Sequence, residues 1–516
     1  MESGQLWQSV VCSRADAPSA SKVPESVYPS AMTKRFLAIL LLILLSTACT
    51  SAPDTDPLQL TVLYINDEHG WMAATENTGG GAGMMQRWLE DEGYTEDGPF
   101  LILSGGDTWT GPAISSWFDG ESMVEVMNAM GYDAAALGNH EFDFGIDGLR
   151  ERMAQAEFPF LGANVVSEES SGSAETIALP YIVQDVGGWD NGATVKVGII
   201  GLASTRTPRT TMPTHVAGLR FEDYATTLAA TVPAARADGA EVIVVISHLC
   251  SPALRALAAV AQELDIAMLG GGHCHERFSR VDQGVALVSA GWQLSAYGRV
   301  DISLDRKTRD MIDVTVELRP NPAGDADDEI AAIVDTWQAR VDDELLVTIG
   351  YAEMGITKSS PAMQNMVMDA WLAAYPADIA MSNPGGFRQD IGAGKITLAD
   401  IVGVLPFDNV LVDAVLTGKQ VIAAYEHGSR RPAAGRLARI NGDYTVNGEP
   451  LDPDAVYHVL VNDFMYARGD GYRFAEYDPA AYQTGIDWRQ PVIEWISALN
   501  TTEADPLGNY LDDARR

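Results

Sequence analysis

The stretch Gly138–Asp143, Gly-Asn-His-Glu-Phe-Asp, places an amide, an imidazole and two carboxylates within five positions. It follows directly on a small apolar run, Ala134–Leu137, which reads as a buried strand. Polar side chains at the end of a buried strand cost free energy unless something satisfies them, and a metal ion or a phosphate would. Four further apolar runs end in the same way. Leu60–Asn66 leads to Asp67-Glu-His69-Gly, Phe100–Ser104 to Gly-Gly-Asp107, Val242–Ile246 to Ser247-His248, and Ile266–Leu269 to Gly-Gly-Gly-His273-Cys-His275. Collected, these turns offer Asp67, His69, Asp107, Asn139, His140, His248, His273 and His275, with five of the chain's eight histidines among them. Carboxylate, imidazole and amide together suit Zn, Mn, Co or Fe rather than Ca or Mg alone. The donors suffice for two divalent ions bridged by an aspartate, the arrangement that serves in-line displacement at phosphorus. Each turn by itself is ordinary; five in succession after strand patterns are not.

The elements that position these turns alternate. Helical periodicity over Ser122–Met130 and Asp223–Ala235 separates the apolar runs, which predicts an α/β domain with its ligands at the carboxyl ends of the strands. Glycines beside the ligands let the chain turn tightly and leave room for a bound group. Val300–Leu304 and Met311–Leu318 alternate apolar and polar residues as half-buried antiparallel strands do. Pro320–Asp327 reads as a boundary, and Asp328–Leu345 as an amphipathic helix with Ile330, Ile333, Val334, Trp337 and Val341 on one face.

With 516 residues the chain is too long for one ordinary core. The predicted organisation is a signal region at 1–48, a tether at 49–59, a catalytic α/β domain at 60–320, a linker helix at 321–346 and an α/β substrate-binding domain at 347–516. Met32-Thr-Lys-Arg35, the apolar Phe36–Leu45 and Ser46-Thr-Ala-Cys49 form a basic start, an apolar core and a small-residue cleavage site, with Met32 the expected start of translation. The apolar run is too short for a stable transmembrane helix. Cys49 in this setting resembles the lipidated cysteine of a bacterial lipoprotein, so an exported protein is expected, held by lipid to the cell envelope, at the outer membrane, in the periplasm or on the surface. Cys250 and Cys274 fall in two of the ligand turns, and a bridge between them is open. A net charge of −37 argues against a nucleic-acid polymer as partner. An anionic substrate must therefore be held by metal ions or by a few arginines.

Asn66-Asp-Glu-His-Gly70, Gly106-Asp-Thr-Trp-Thr-Gly111, Gly138-Asn-His-Glu-Phe-Asp143, Ser247-His248 and Gly272-His-Cys-His275 resemble the calcineurin-like metallophosphoesterases, and most closely the bacterial 5′-nucleotidase/UDP-sugar hydrolase family. The resemblance implies Asp67, His69, Asp107 and His275 at one metal and Asp107, Asn139, His248 and His273 at the other. It implies His140 as a non-ligand histidine that contacts the phosphoryl group, with Asp143 orienting its ring. Glu141 is left without a task.

The resemblance continues into the second half. Asn383-Pro-Gly-Gly-Phe-Arg388, Leu405-Pro-Phe407-Asp-Asn409, Asn462-Asp-Phe464 and Gly469-Asp-Gly-Tyr472 look like the family's nucleoside-binding domain. It implies Phe407 and Tyr472 as the pair that sandwiches a base, Arg388 on phosphate oxygens, Asn409 at the base edge and Asp478 on the ribose hydroxyls. Relatives carry arginines where Gly355–Ala362 here offers Lys358, and Arg468 replaces a small residue, where it could compensate. The activity implied is hydrolysis of nucleoside 5′-monophosphates. Hydrolysis of UDP-sugars or of 2′,3′-cyclic and 3′-nucleotides, a thiosulfohydrolase and a non-catalytic surface binding protein are the alternatives.

Overall fold

A computed structural model describes residues 56–167, 177–190, 192–427 and 430–514. The leader expectations, Met32 and Cys49 included, lie outside the described residues.

Two six-stranded sheets build the N-terminal half. The first runs Met311–Pro320, Ala296–Leu304, Leu58–Ile65, Phe100–Ser104, Ala134–Ala136, Phe160–Leu161. Its last four strands are parallel, and the Ala296–Leu304 and Met311–Pro320 hairpin closes the other edge antiparallel. The second runs Arg277–Asp282, Val285–Ala290, Ile266–Gly270, Val242–Ser247, Val195–Leu202, Tyr181–Val186, with its central four parallel and both outer strands antiparallel.

The period-2 alternation of a strand explains why these runs are apolar throughout. Leu60, Val62 and Tyr64 point into a core shared with Val197, Ile199, Val244 and Ile246 of the facing sheet. Leu63 and Ile65, on the opposite face, pack against Met84, Trp88, Val126 and Trp337 of the covering helices. Leu254, Leu257 and Leu228 cover the outer face of the second sheet. The result is a helix–sheet–sheet–helix sandwich, with both faces of each parallel region buried.

The Asp328–Leu345 helix is capped by Asp327, whose carboxylate accepts the amides of Glu329 and Ile330. It adds Ile330, Val334, Trp337, Val341 and Leu345 to the N-terminal core, where Val402 of the second half also packs. The second half carries a five-stranded sheet, Ala433–Gly435, Ile379–Ser382, Val456–Asn462, Val410–Thr417, Tyr482–Asp487, between two cores of its own. Residues Pro57–Arg516 thus form one unit.

Cys250 and Cys274 are joined in a disulfide that links the turn after Val242–Ser247 to the turn after Ile266–Gly270. Closing a loop over a sequence separation of 24 residues stabilises the fold by about 3 kcal/mol. The pair Cys250→Ser and Cys274→Ser should lower the free energy of chemical unfolding by about that amount, and an unchanged denaturation midpoint would show that the neighbouring backbone bonds suffice.

Candidate metal and substrate site

All the ligand turns lie at the carboxyl ends of the parallel strands, at one end of the sandwich. Their backbone is unusual. Asp67, His69, Asp107, His273 and His275 have φ of 52°, 49°, 60°, 71° and 56°, a left-handed conformation that L-residues rarely adopt. Strained backbone of this kind persists where the surroundings over-determine it, and it gathers at functional sites. Here the turns hold one another. The amide of Asp67 donates to the carbonyl of Gly106 at 3.0 Å, that of His69 to the carbonyl of Asp107 at 3.0 Å, and that of Gln293 to the carbonyl of Asp67 at 2.8 Å. Close approach needs glycine at two places. A Cβ on Gly138 would lie 2.2 Å from Oδ1 of Asp107, and one on Gly272 would lie 2.9 Å from Oδ2 of Asp67.

Among the described residues, three groups of donors come close enough to share an ion: Asp67, His69 and His275; His69, Asp107 and His140; Asp107, His248 and His273. The tautomers fit metal binding. Nδ1 of His248 lies 2.9 Å from the carbonyl of Gly105, and Nδ1 of His69 lies 3.2 Å from the carbonyl of Thr110. A carbonyl only accepts, so both Nδ1 atoms carry the proton and both Nε2 atoms face the centre. Asn139 donates its amide to the carbonyl of Thr210 at 3.0 Å, which leaves its Oδ1 buried without a partner. That orphaned oxygen, among imidazoles and carboxylates, is what a cation would satisfy.

The electrostatics centre on Asp107. Burial pushes its carboxyl up, but His248 and His140 outweigh this and hold it well below the usual carboxylate range. Burial works against the charge on His248, and Asp107, with Oδ2 2.8 Å from Nε2, reverses this and lifts its pKa to about 10, so an ion bound at Nε2 would have to displace a proton held there. Burial and the charges of Arg388 and His275 keep His69 neutral, and burial with His248 beside it lowers His273 to about 4.

Nδ1 of His140 lies 2.6 Å from Oδ2 of Asp143. Glu141 points the other way. Its carboxylate, fully buried, accepts the amides of Asp107 at 2.9 Å, Thr108 at 2.7 Å and Gly138 at 2.5 Å, and the Thr108 hydroxyl at 2.9 Å. This side chain, which has no role in the sequence reading, clasps two ligand turns together.

A cavity of about 490 Å³ opens beside these groups. Asp107, Asn139, His140, Asp143, His273 and His275 line it from the N-terminal half, and Arg388, Phe407 and Asn409 from the C-terminal half. Nη2 of Arg388 lies 3.2 Å from Nε2 of His69, and the Phe407 ring stacks on His140 with centroids 5.7 Å apart.

Two expected substrate residues lie elsewhere. Tyr472, 3% exposed, packs in the C-terminal core beside Phe474 and His427. The carboxylate of Asp478 accepts the amides of Val415 at 2.9 Å and Ala480 at 3.2 Å. The cause is the Gly469–Gly471 turn. With Arg468 and Asp470 both left-handed, it directs Tyr472 inward and leaves Asp470 to line the cavity, together with Phe464. Lys358 donates to the carbonyl of Arg388 at 2.9 Å and lies 4.6 Å from the ring of Trp292, which stacks on His275. It therefore braces the arginine's backbone. Arg468 pairs with Glu476.

Thr210, Thr211, Met212 and His215, which belong to none of the sequence motifs, also line the cavity. A sixth apolar run, Val195–Leu202, was the available signal. The loop after it carries Ser, Thr and Arg, so a search for ligand types misses it.

Residues 347–442 and 424–477 match the family described as 5′-nucleotidase, C-terminal domain. Over 88% of this chain and 92% of its own length, a protein of Vibrio parahaemolyticus called 5′-nucleotidase is 27% identical. Protein UshA of Escherichia coli is 25% identical over 92% of this chain and 98% of its own. Among solved structures, the 5′-nucleotidase precursor of Thermus thermophilus superposes with a TM-score of 0.73 at 24% identity, over 86% of this chain and 97% of that one. The sulfate thiohydrolase SoxB of the same organism superposes with 0.67 at 19% identity, over 88% and 96%. These superpositions show a shared fold, a two-sheet α/β sandwich followed by a second α/β half.

Replacing Glu141 by Gln would turn an N–H toward the amides that the carboxylate now accepts. Glu141→Gln should lose about 2 kcal/mol of stability and bind divalent metal at least roughly tenfold more weakly by calorimetry. Wild-type metal affinity in this variant would deny the clasp any bearing on the ligand turns.

Proposed function

We propose that this chain, a homologue of the 5′-nucleotidases, hydrolyses the phosphate monoester of nucleoside 5′-monophosphates. The observation that carries the reading is one cavity in which His140, Asp143 and the metal-type donors of the first half meet Arg388 and Phe407 of the second. Asp67, His69, Asp107 and His275 would hold one divalent ion, and Asp107, Asn139, His248 and His273 a second, of Zn, Mn, Co or Fe. Such ions, when bound, polarise phosphoryl oxygens and make water nucleophilic near neutral pH.

The chain's own groups do the rest. Burial alone would lower the pKa of His140, but Asp143 and Asp107 more than compensate and hold it above the ordinary value. That direction favours the protonated ring, whose Nε2–H would be the donor to a phosphoryl or departing oxygen, while Asp143 fixes its orientation. Arg388 presents a planar fork to phosphate oxygens. Phe407 offers a flat face to a base, and Asn409 an amide to the base edge. Tyr472 and Asp478, directed away from the cavity, are not assigned to the substrate here. Export and lipid attachment at Cys49 are part of the same reading; a similar protein of Listeria monocytogenes named as a cell wall protein and the disulfide support export.

A panel of nucleoside 5′-monophosphates, UDP-sugars and cyclic nucleotides, assayed with EDTA and then with added Mn, Co or Zn, tests the reading. Phosphate release from 5′-monophosphates, abolished by EDTA and restored by metal, is expected; a failure to release phosphate from any of them with any of the metals would sink it. Arg388→Ala should raise KM roughly 10- to 100-fold with a smaller change in kcat, and an unchanged KM would remove the arginine from the site.

A further inference from the structure

We propose that Thr211 is a positioning residue that completes a hydrogen-bonded chain Thr211–Asp143–His140. The inference rests on the role given to His140 above. The two oxygens of Asp143 have separate partners: Oδ2 accepts from His140 Nδ1 at 2.6 Å, and Oδ1 accepts from the Thr211 hydroxyl at 2.9 Å. Thr211 is 2% exposed and the Asp143 side chain 8%. Little water can therefore replace the hydroxyl.

The consequence is orientational. The terminal torsion of an aspartate is soft, so one bond to an imidazole leaves the carboxylate free to swivel. A second donor on the other oxygen fixes its plane, and with it the direction in which Nε2 of His140 points. Thr211 comes from a different sheet than its partners. It follows the Thr207–Thr210 turn, in the loop after Val195–Leu202, and its amide donates to the carbonyl of Thr207 at 3.1 Å. The same loop is fastened to the Gly138–Asp143 turn on both sides of this bond. The Thr210 carbonyl accepts from Asn139 at 3.0 Å, and Nδ1 of His215 meets the carbonyl of Phe142 at 2.9 Å. The hydroxyl is thus held at its position by two bonds that do not involve it, so its removal can be tested without undoing the loop.

Thr211→Val keeps the shape and removes the donor; Thr211→Ser restores the donor. With metal-loaded protein and a 5′-monophosphate, Thr211→Val should lower kcat about tenfold with KM within about twofold, while metal content stays that of wild type. Thr211→Ser should recover most of the loss. The low-field proton resonance of His140 Nδ1–H, assigned by its disappearance in His140→Ala, should move in Thr211→Val and return in Thr211→Ser. Wild-type kcat in the valine variant, equal impairment in the serine variant, loss of metal or an unmoved resonance would each overturn the proposal. If Thr211→Val does not fold, Thr211→Ala is read in the same way. If the wild type releases no phosphate from any substrate, the functional reading fails, and the resonance alone still decides whether Thr211 positions His140.

Discussion

The buried carboxylate of Asp107 is the constraint on which the site depends. Its Oδ1 accepts the amide of His140 at 2.8 Å, its Oδ2 faces His248 at 2.8 Å, and its own amide donates to Glu141. An ionised group taken out of water is stable only where cations and N–H donors surround it. The turns after Ala134–Ala136 and Val242–Ser247 supply those partners, so strand ends from both sheets meet at one residue. Two acids buried side by side are tolerated because each has its own donors: Asp107 takes the His248 imidazole and the His140 amide, and Glu141 takes the amides of Asp107, Thr108 and Gly138.

That arrangement is costly at the backbone. Five candidate ligand residues sit in left-handed conformations, each on the order of 1 kcal/mol or more. Continuous cores on both faces of the parallel strands, with Tyr64 and Val62 on one side and Leu63 and Ile65 on the other, provide the rigidity that sustains them. Rigid strands, short strained turns and a cavity at their carboxyl ends together make a preorganised centre, in which donors wait where charge will develop.

Fold and chemistry are separable here. The superposition on a sulfate thiohydrolase is nearly as good as that on a 5′-nucleotidase precursor. What favours nucleotides is therefore local. The second half brings an arginine to within 3.2 Å of His69, a candidate metal donor, and lays an aromatic ring against His140. Lys358 reaches the carbonyl of Arg388 while lying over Trp292, and so ties this arginine to the N-terminal half.

How much was legible in the sequence follows from the range of each interaction. The strands at Phe100–Ser104 and Met311–Pro320, the helix at Asp328–Leu345 and the glycines beside the ligands are written in local periodicity, because burial of a face and freedom of φ are properties of a few neighbouring residues. The polar cluster at the strand ends was legible for the same reason: metal chemistry demands particular side chains, and their types are visible without coordinates. The partners of those side chains were not. Glu141 turning to three amides, Asp143 taking Thr211 in addition to the expected His140, and the Cys250–Cys274 bridge depend on which turns lie side by side. Tyr472 and Asp478 show the same limit, since a turn with left-handed Arg468, Asp470 and Gly471 precedes Tyr472 and leaves Asp470, not Tyr472, in the cavity. The sequence alone thus determined the donor inventory and the α/β framework, whose causes are local. Only the tertiary structure decided how those donors are oriented and which loop braces them, because hydrogen bonds between residues tens to hundreds of positions apart exist only once the sheets have packed.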